Sequence, residues 1–514
     1  MPNSLKKIAT LFIFLLLINK TNVNAQVGIG VAPPDPSAML HVQDTAKGML
    51  IPRMTAAQRA AIPSPAEGLL VYETSDLGKG FWYFTNGQWK SFANSIGKAT
   101  VVLSDTITNA EAQLKIANEV GTATQEIRIM RCSNLTSVDL SMIKTLIEIY
   151  VSDNPVLQTL NFSNLTSVDG GIYINNCPQL HNLVIGALTR VGRTFNGSVG
   201  LYINTTDVPI VNLPSLKIVA GGIRIKNDSS LTSISMPQLT NILGTSSEGL
   251  DISSNPVLTT CNFQSLQHVN VLRIQTDPLL ASFNLSSLAK VDASFYFSGN
   301  IITNLSLPAL VSTGPVFDIT GNALTSIQVP SLVIAPSINF YGPALQGISL
   351  PVLDSLGGFS AKGNSITSIS APLARMLGYV FTIDSCASLT SISFPSAIKA
   401  NDVFISHCPV ITSISFPALT TVTGSNGFEV YSNANLTSIS LNNLANFVSV
   451  DFYMANNKLP SSEVNALLHL FVSHPPLSVN TIFNLKQVPP APPSGQGIID
   501  KATLAAAPNT VTTD

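Results

Sequence analysis

The chain has 514 residues, of which 11% are charged, and a formal net charge of −2. Charge so sparse and balanced offers no basic surface to neutralise a phosphate backbone, so nucleic acid is not an expected partner. Mean hydropathy is +0.34, a membrane-like value. Yet beyond residue 20 no uninterrupted apolar run approaches the roughly 20 residues of a spanning helix, and apolar residues recur periodically instead.

In chain order, residues 1–25 read as a secretory signal. Lys6 and Lys7 precede an apolar core from Ile8 to Ile18, and Val23-Asn24-Ala25 supplies small residues for cleavage before Gln26. An exported, secreted or surface-held protein follows from this. Residues 26–95 read as a small β-rich module. Within it, Phe81 to Phe84 and Gln88-Trp89 flank Asn86-Gly87, the pair that supplies the positive φ angles of a tight hairpin. Residues 96–126 read as a linker and cap, where Thr108 and Glu111 have capping-box spacing and open a short helix through about Asn118.

From residue 127 to 457 one pattern recurs: two apolar residues flank a variable one, three positions ahead of an Asn, Asp or Cys, and a Leu or Ile follows. The register column is Cys132, Asn154, Cys177, Thr206, Asp228, Asn255, Asp277, Asn300, Asn322, Pro343, Asn364, Cys386, Cys408, Asn433 and Asn457. Only Thr206 and Pro343 depart from the rule. These fifteen units span 325 residues, about 23 per unit, a period that predicts a solenoid. A second segment in each unit, as in Leu231-Thr-Ser-Ile-Ser or Ile411-Thr-Ser-Ile-Ser, is rich in β-branched and hydroxyl residues, so strand or extended turn is expected there rather than helix. The expected fold is all-β: a single parallel β-solenoid of about fifteen coils, with β structure on two sides and short helical caps. Residues 458–514 close it, with a helix starting at Ser461 or Ser462 and a proline-rich segment around Pro489 to Pro493.

The strand and column, as in Leu250-Asp-Ile252-Ser-Ser-Asn255-Pro-Val-Leu258, resemble the core of the leucine-rich-repeat consensus, and the β-rich second side resembles receptor L domains. That resemblance implies outward strand residues on a ligand-binding sheet, and an Asn or Cys column that caps backbone groups in the turn. The helix of ordinary leucine-rich repeats is missing. Residues 26–95 resemble, through Gly28-Ile-Gly30, Pro36-Ser-Ala38, Pro52-Arg-Met54 and Gly68-Leu-Leu-Val-Tyr72, an N-terminal module of secreted bacterial and tail-fibre-like proteins.

The single residue between the two inward positions of each strand should face solvent. In order these are Arg128, Tyr150, Tyr173, Tyr202, Arg224, Asp251, Arg273, Tyr296, Asp318, Asn339, Ser360, Thr382, Phe404, Glu429 and Tyr453. Tyr and Arg on a rigid sheet are interface anchors, so the candidate ligand face is Tyr150, Tyr173, Tyr202, Arg224, Asp251, Arg273, Tyr296 and Asp318. The alternative is that the tyrosines stack on one another between coils. Insertions at Arg193 to Val199, Thr245 to Glu248 and Thr423 to Gly427 fall on one edge of the coils. They either flank a binding face or are neutral loop growth.

Four of five cysteines stand in the turn column, and Cys261 is inward. Cys386 and Cys408, on adjacent coils, are within disulfide reach, but buried thiols in place of Asn are the expected reading. The six histidines have no metal-ligand spacing with Cys, Asp or Glu. Neither metal, cofactor nor catalytic residue is expected. The outward acids are isolated rather than clustered as a polysaccharide-cleaving site needs. In-register Thr-Ser-Ile-Ser hydroxyls resemble the arrays of ice-binding solenoids, but the array is interrupted at Val184, Cys261 and Phe283. The leading expectation is a binding or adhesion protein that recognises a protein or glycan through the outward column; the alternative is a structural fibre component with the solenoid as spacer.

Overall fold

The computed structural model describes residues 26–75, 79–92, 97–192, 199–244, 247–447, 450–474, 481–506 and 509–514. The expected signal segment lies outside the described residues. The chain forms two compact units that part between Ala93 and Asn94.

In the first unit, Val27–Ile29 pairs in parallel with Leu40–Val42. Arg53–Met54, Leu70–Glu73, Gly80–Thr85 and Gln88–Ser91 form a four-stranded sheet. Asn86 and Gly87 take φ of 51° and 76°, and the strands they join pair antiparallel with Phe84 opposite Trp89. The small core is tied by Arg59, whose Nε lies 2.8 Å from Glu73 and whose guanidinium sits 3.8 Å from the centre of the Trp82 ring.

The second unit is a parallel β-solenoid of about 17 turns. Its main ladder joins Glu126–Met130, Glu148–Ser152, Ile172–Cys177 and the equivalent strand of every later coil to Phe452–Tyr453. The ladder also extends past the fifteen expected coils. Thr100–Ser104, read from the sequence as linker, precedes it as a full strand against Glu126–Met130. At the far end Ile482–Asn484 and Thr510–Thr512 continue it. A second side carries the Ser-Ile-Ser segments in runs of three, four and seven strands. A third, short ladder, such as Ser167–Val168 on Arg190–Val191, leads back into the main strand; in most coils from His268–Gln275 to Lys399–Ser406 one long strand serves both, and the two part again at Thr421–Val422 and Phe428–Tyr431. The coil therefore has three β sides where two were expected, because a two-residue strand leaves no periodic signature.

Alternation fills the interior: Ile172 and Ile174 are buried while Tyr173 between them is not. Toward the C-terminal half the inward positions become aromatic, with Phe295, Phe317, Phe340, Phe359 and Phe381 packed in succession at 4.9–6.2 Å between ring centres. Each such side chain contributes roughly 1.5 to 3 kcal/mol when buried, but only against the neighbouring coil. The helix Asn109–Glu119 opens on the capping box of Thr108 and Glu111. At the other end Ser461–Ser473 follows Pro460, and a second helix, Gln496–Ala506, follows the proline-rich segment around Pro489 to Pro493. Phe471 of the first of these helices covers the last inward rings, 4.6 Å from Phe452 and 4.7 Å from Phe483.

Most coils turn through a left-handed residue just before the column: Asp153, Asn176, Ser254, Thr276 and Ser432 all have φ between 52° and 60°. The column side chain then bridges to the preceding coil. Asn154 Oδ1 accepts from the Cys132 amide at 3.0 Å, and its Nδ2 donates to the Ile129 and Ser152 carbonyls at 2.9 Å. Asn433 and Asn457 repeat the arrangement on Ile405 and Val430. Pro343 has no amide to offer, and Asn364 takes the Gly342 N–H instead at 3.0 Å.

Asp228 and Asp277 hold this position without an amide donor. Their Oδ1 atoms accept from Thr206 N at 2.6 Å and Asn255 N at 2.8 Å, but neither Oδ2 has a partner among the described residues. Burial pushes these carboxyls up to about 6 and about 7, against the hydrogen bonds from Thr206 and Asn255 that lower them. A folded pKa above the unfolded value of about 3.9 means the fold holds extra protons; the stability this provides is complete below about pH 4 and is lost as pH rises through 6 to 7. The Asp228→Asn/Asp277→Asn variant is expected to gain on the order of 2 kcal/mol over the native chain at pH 8 and much less at pH 4. Paired denaturant midpoints at the two pH values check this; a difference that does not change with pH refutes it.

Candidate binding face

All fifteen outward positions fall in one unbroken parallel register, residue against residue, from Arg128 to Tyr453. The eight candidate ligand-face residues therefore stand on consecutive strands, Tyr150 to Asp318. They are not equally available.

Tyr150, Tyr173 and Tyr202 stack face to face, 4.8 and 4.7 Å between ring centres and 6° between planes. The spacing of neighbouring strands, about 4.8 Å, matches the centre-to-centre distance of offset stacked rings, so identical residues in register stack without distortion. Arg128 closes one end, 6.0 Å from the Tyr150 ring. Ring faces are thus consumed within the stack, and solvent meets the ring edges. Partial burial holds the Tyr173 and Tyr202 hydroxyls above their ordinary pKa.

The next positions are tied to one another by charge. Asp251 is only 5% exposed. Its Oδ2 lies 2.7 Å from Lys226 Nζ and 3.3 Å from Arg273, and its Oδ1 accepts from Ser253. It is a cross-coil bridge rather than an open contact. Arg224 faces the buried Glu248 at 3.8 Å, and the Arg273 guanidinium lies 5.4 Å from the Tyr296 ring. Burial raises the Asp318 carboxyl, and its Oδ1 has no partner among the described residues. Beyond Asp318 the column becomes small and uncharged at Asn339, Ser360 and Thr382. A shallow groove of about 450 Å³ opens there beside Tyr379, a residue that sequence reasoning did not single out.

The opposite faces are occupied differently. The Thr that opens each Thr-Ser-Ile-Ser segment spends its hydroxyl on the coil before: Thr325 on the Thr303 carbonyl, Thr390 on Thr367, Thr412 on Thr390 and Thr437 on Thr412, at 3.0–3.4 Å. Those hydroxyls are structural and are not displayed as an array. Of the insertions, residues 193–198 and 245–246 lie outside the described residues. The third is pinned by Asp402, which accepts from the Asn426 and Gly427 amides at 2.8 and 3.2 Å.

All five cysteines are buried and free. Cys386 and Cys408 do meet across adjacent coils; the Cys386 sulfur beside it, and then burial, hold the Cys408 thiol well up. Three of the six histidines pair with carboxylates in space, with no short motif to announce it: His268 with Asp292 at 2.5 Å, His407 with Asp384 at 3.0 Å and His469 with Asp500 at 3.2 Å. Partners one coil apart are more than twenty residues apart in sequence, beyond any short motif. Among the described residues no cluster of three metal-ligating side chains occurs, and no helix is long and apolar enough to cross a membrane.

Residues 28–113 match a family model described as a phage tail-like trimerisation region. Over 168 residues, 32% of this chain, the sequence is 27% identical to the cell surface GPI-anchored protein ECM33 of Candida albicans, covering 37% of that protein's length. The fold is similar to a leucine-rich repeat protein from Bacteroides ovatus, with a TM-score of 0.32 and 13% identity over 71% of this chain and 92% of that one. It is also similar to the functional domain of InlJ from Listeria monocytogenes, with a TM-score of 0.27 and 15% identity over 76% and 73% of the two chains.

Tyr173 makes both ring pairs of the stack, so Tyr173→Ala should lower stability by about 1–3 kcal/mol. Tyr453, which meets only Tyr431 edge-on at 5.6 Å, should cost less when truncated. Denaturation midpoints of the two variants check the order.

Proposed function

We propose that this chain is an exported recognition protein, secreted or held at the cell surface, whose solenoid binds a protein or glycan through the outward column and performs no chemistry on it. The observation that carries this reading is that Tyr, Arg and acidic side chains are concentrated on the main column, from Arg128 to Tyr453. The outward positions of the second side are mostly Ser, Thr or Asn, and over the last coils they repeat one residue, Ser368, Ser391, Ser413 and Ser438 in register. The main column changes chemistry almost every coil while keeping the same backbone. Stability alone requires no such variation on a solvent face, whereas recognition does. The likeness to a surface-anchored fungal protein agrees with a location outside the cell.

The N-terminal unit, in this reading, assembles copies. Val27, Ile29, Met39, Leu40, Met49 and Leu50 are exposed, Leu50 to 85%. Apolar side chains crowded into so short a segment mark a contact surface, and the likeness of residues 28–113 to a trimerisation region supports three copies as the assembly. Three tethered solenoids would raise apparent affinity through effective concentration alone.

Light scattering on residues 26–514 is expected to give the mass of three chains, and Leu40→Ser/Met49→Ser/Leu50→Ser the mass of one. Capture on immobilised proteins and glycans is expected to weaken at least tenfold when Tyr150, Tyr173 and Tyr202 are all changed to Ser. Capture that is unchanged by those substitutions but disappears when residues 26–93 are deleted would instead make the solenoid a spacer.

A further inference from the structure

We infer that the groove between Pro336 and Tyr379 is a binding subsite for a neutral carbohydrate, with Tyr379 as its stacking platform. The inference rests on the reading of the column face as a recognition surface, and it assigns a place and a ligand chemistry to one part of it.

The groove arises from a local break in the repeat. Strands Ser355–Lys362 and Met376–Asp384 shift register between Leu356 and Phe359 and between Leu377 and Val380, so that the chain bulges as it enters the main ladder. The extra residue lies on Met376–Asp384, at Gly378 and Tyr379, while Gly357 and Gly358 on the coil before stay in register with the strand Ile334–Tyr341. Gly357 is required there, since a Cβ would fall 2.0 Å from the Pro336 carbonyl oxygen. Gly358 is not: a Cβ would meet its nearest neighbours, Ser337 Oγ and the Val380 carbonyl, at 3.5 and 3.7 Å. The missing side chain at Gly358 leaves an opening of about 450 Å³ walled by Pro336 and Tyr379, within the range of small-ligand sites.

Tyr379 is 72% exposed at a φ of 47°. A bulky residue in the left-handed region is strained, and here the strain supports no core packing because the ring stands in solvent. The left-handed residues of the coil turns are different, since each serves the column bridge beside it. A strained, exposed aromatic ring at the wall of a groove is costly to the fold and suited to a ligand.

Three column residues form the groove floor, Asn339, Ser360 and Thr382, in direct register. They offer one amide and two hydroxyls, and Ser360 Oγ is oriented by the Tyr341 hydroxyl at 2.7 Å. No charged side chain lines the groove. An aromatic wall above a row of neutral donors and acceptors fits a pyranose, which has an apolar face of C–H groups and a rim of hydroxyls. It does not fit a sialylated or uronic-acid sugar, whose carboxylate would find no cation.

The test is an array of immobilised neutral oligosaccharides (gluco-, manno- and galacto-oligomers and oligomers of N-acetylglucosamine) with sialylated and uronate-containing sugars beside them, probed with residues 26–514. At least one neutral oligosaccharide should bind, and the acidic ones should not. Tyr379→Gly should weaken that binding at least tenfold while raising the thermal midpoint by a few degrees, a combination that a structural role for the ring would reverse. Gly358→Leu, which fills the opening, should also weaken it at least tenfold with the midpoint close to the native value. Absence of any neutral-sugar binding, or binding unaffected by both variants, overturns the subsite. If the triple tyrosine variant still loses capture on proteins in that case, the recognition reading stands and only the carbohydrate assignment falls.

Discussion

The pairing of turn backbone with a column side chain of the next coil, most complete where that side chain is an Asn carboxamide that both donates and accepts, is the constraint on which the rest of this structure depends. A solenoid turn swings backbone amides and carbonyls toward the interior, where an unpaired group costs about 1–3 kcal/mol. Asn carries both complements at the right spacing, so Asn154 can satisfy the Cys132 amide and the Ile129 carbonyl at once. The substitutes show what is lost when one half is missing. Cys177 offers only a weak donor, and the amide of Asn154 turns to the Asn176 carbonyl at 3.2 Å instead. Asp228 and Asp277 offer acceptors alone, and the Oδ2 that stands in for the amide nitrogen has no partner among the described residues.

The bridge also explains why left-handed backbone is tolerated at residues such as Thr205 and Thr276, which are β-branched and disfavoured there. Each strained residue places the next one where its side chain can reach the preceding coil. Cost and gain are adjacent in sequence and are repeated with every turn, so the stack is stable only as a whole. Terminal coils have a neighbour on one side only, and helices pack at both ends of this solenoid, with Phe471 set against the inward rings of Phe452 and Phe483.

Most of the fold could be read in the sequence because its signal is summed over many coils. The register of the column and of the outward positions is legible from Arg128 to Tyr453, since a misplacement by one residue would put a polar group in the core; the exposure of each member is not, and Asp251 is buried. What escaped lies where the period fails. Gln487 extends the column one coil further, its Nε2 donating to the Met454 and Leu485 carbonyls at 2.8 Å, but a helix separates it from Asn457 and the spacing no longer announces it. The third ladder escaped because two residues do not define an alternation. Tyr379 escaped because it lies in a bulge, outside both the inward and outward series. The face itself was legible, but the commitment of its members was not: no sequence pattern distinguishes a tyrosine whose faces are covered by other tyrosines from one presented to a ligand.

That distinction divides the column in two. From Arg128 to Tyr296 the side chains satisfy one another, by ring stacking, by the Asp251 bridge to Lys226 and Arg273, and by Arg273 over Tyr296. A partner there would meet a surface already ordered, losing little side-chain entropy on binding but gaining few unmet hydrogen-bonding groups. From Asn339 to Thr382 the groups are small, neutral and unstacked, and the backbone beside them is bulged and strained at Tyr379. A rigid scaffold concentrates its strain where packing does not relieve it. The ordered stretch therefore suits a large, complementary protein surface, and the bulged stretch suits a small polar ligand that can complete what the coil leaves unfilled.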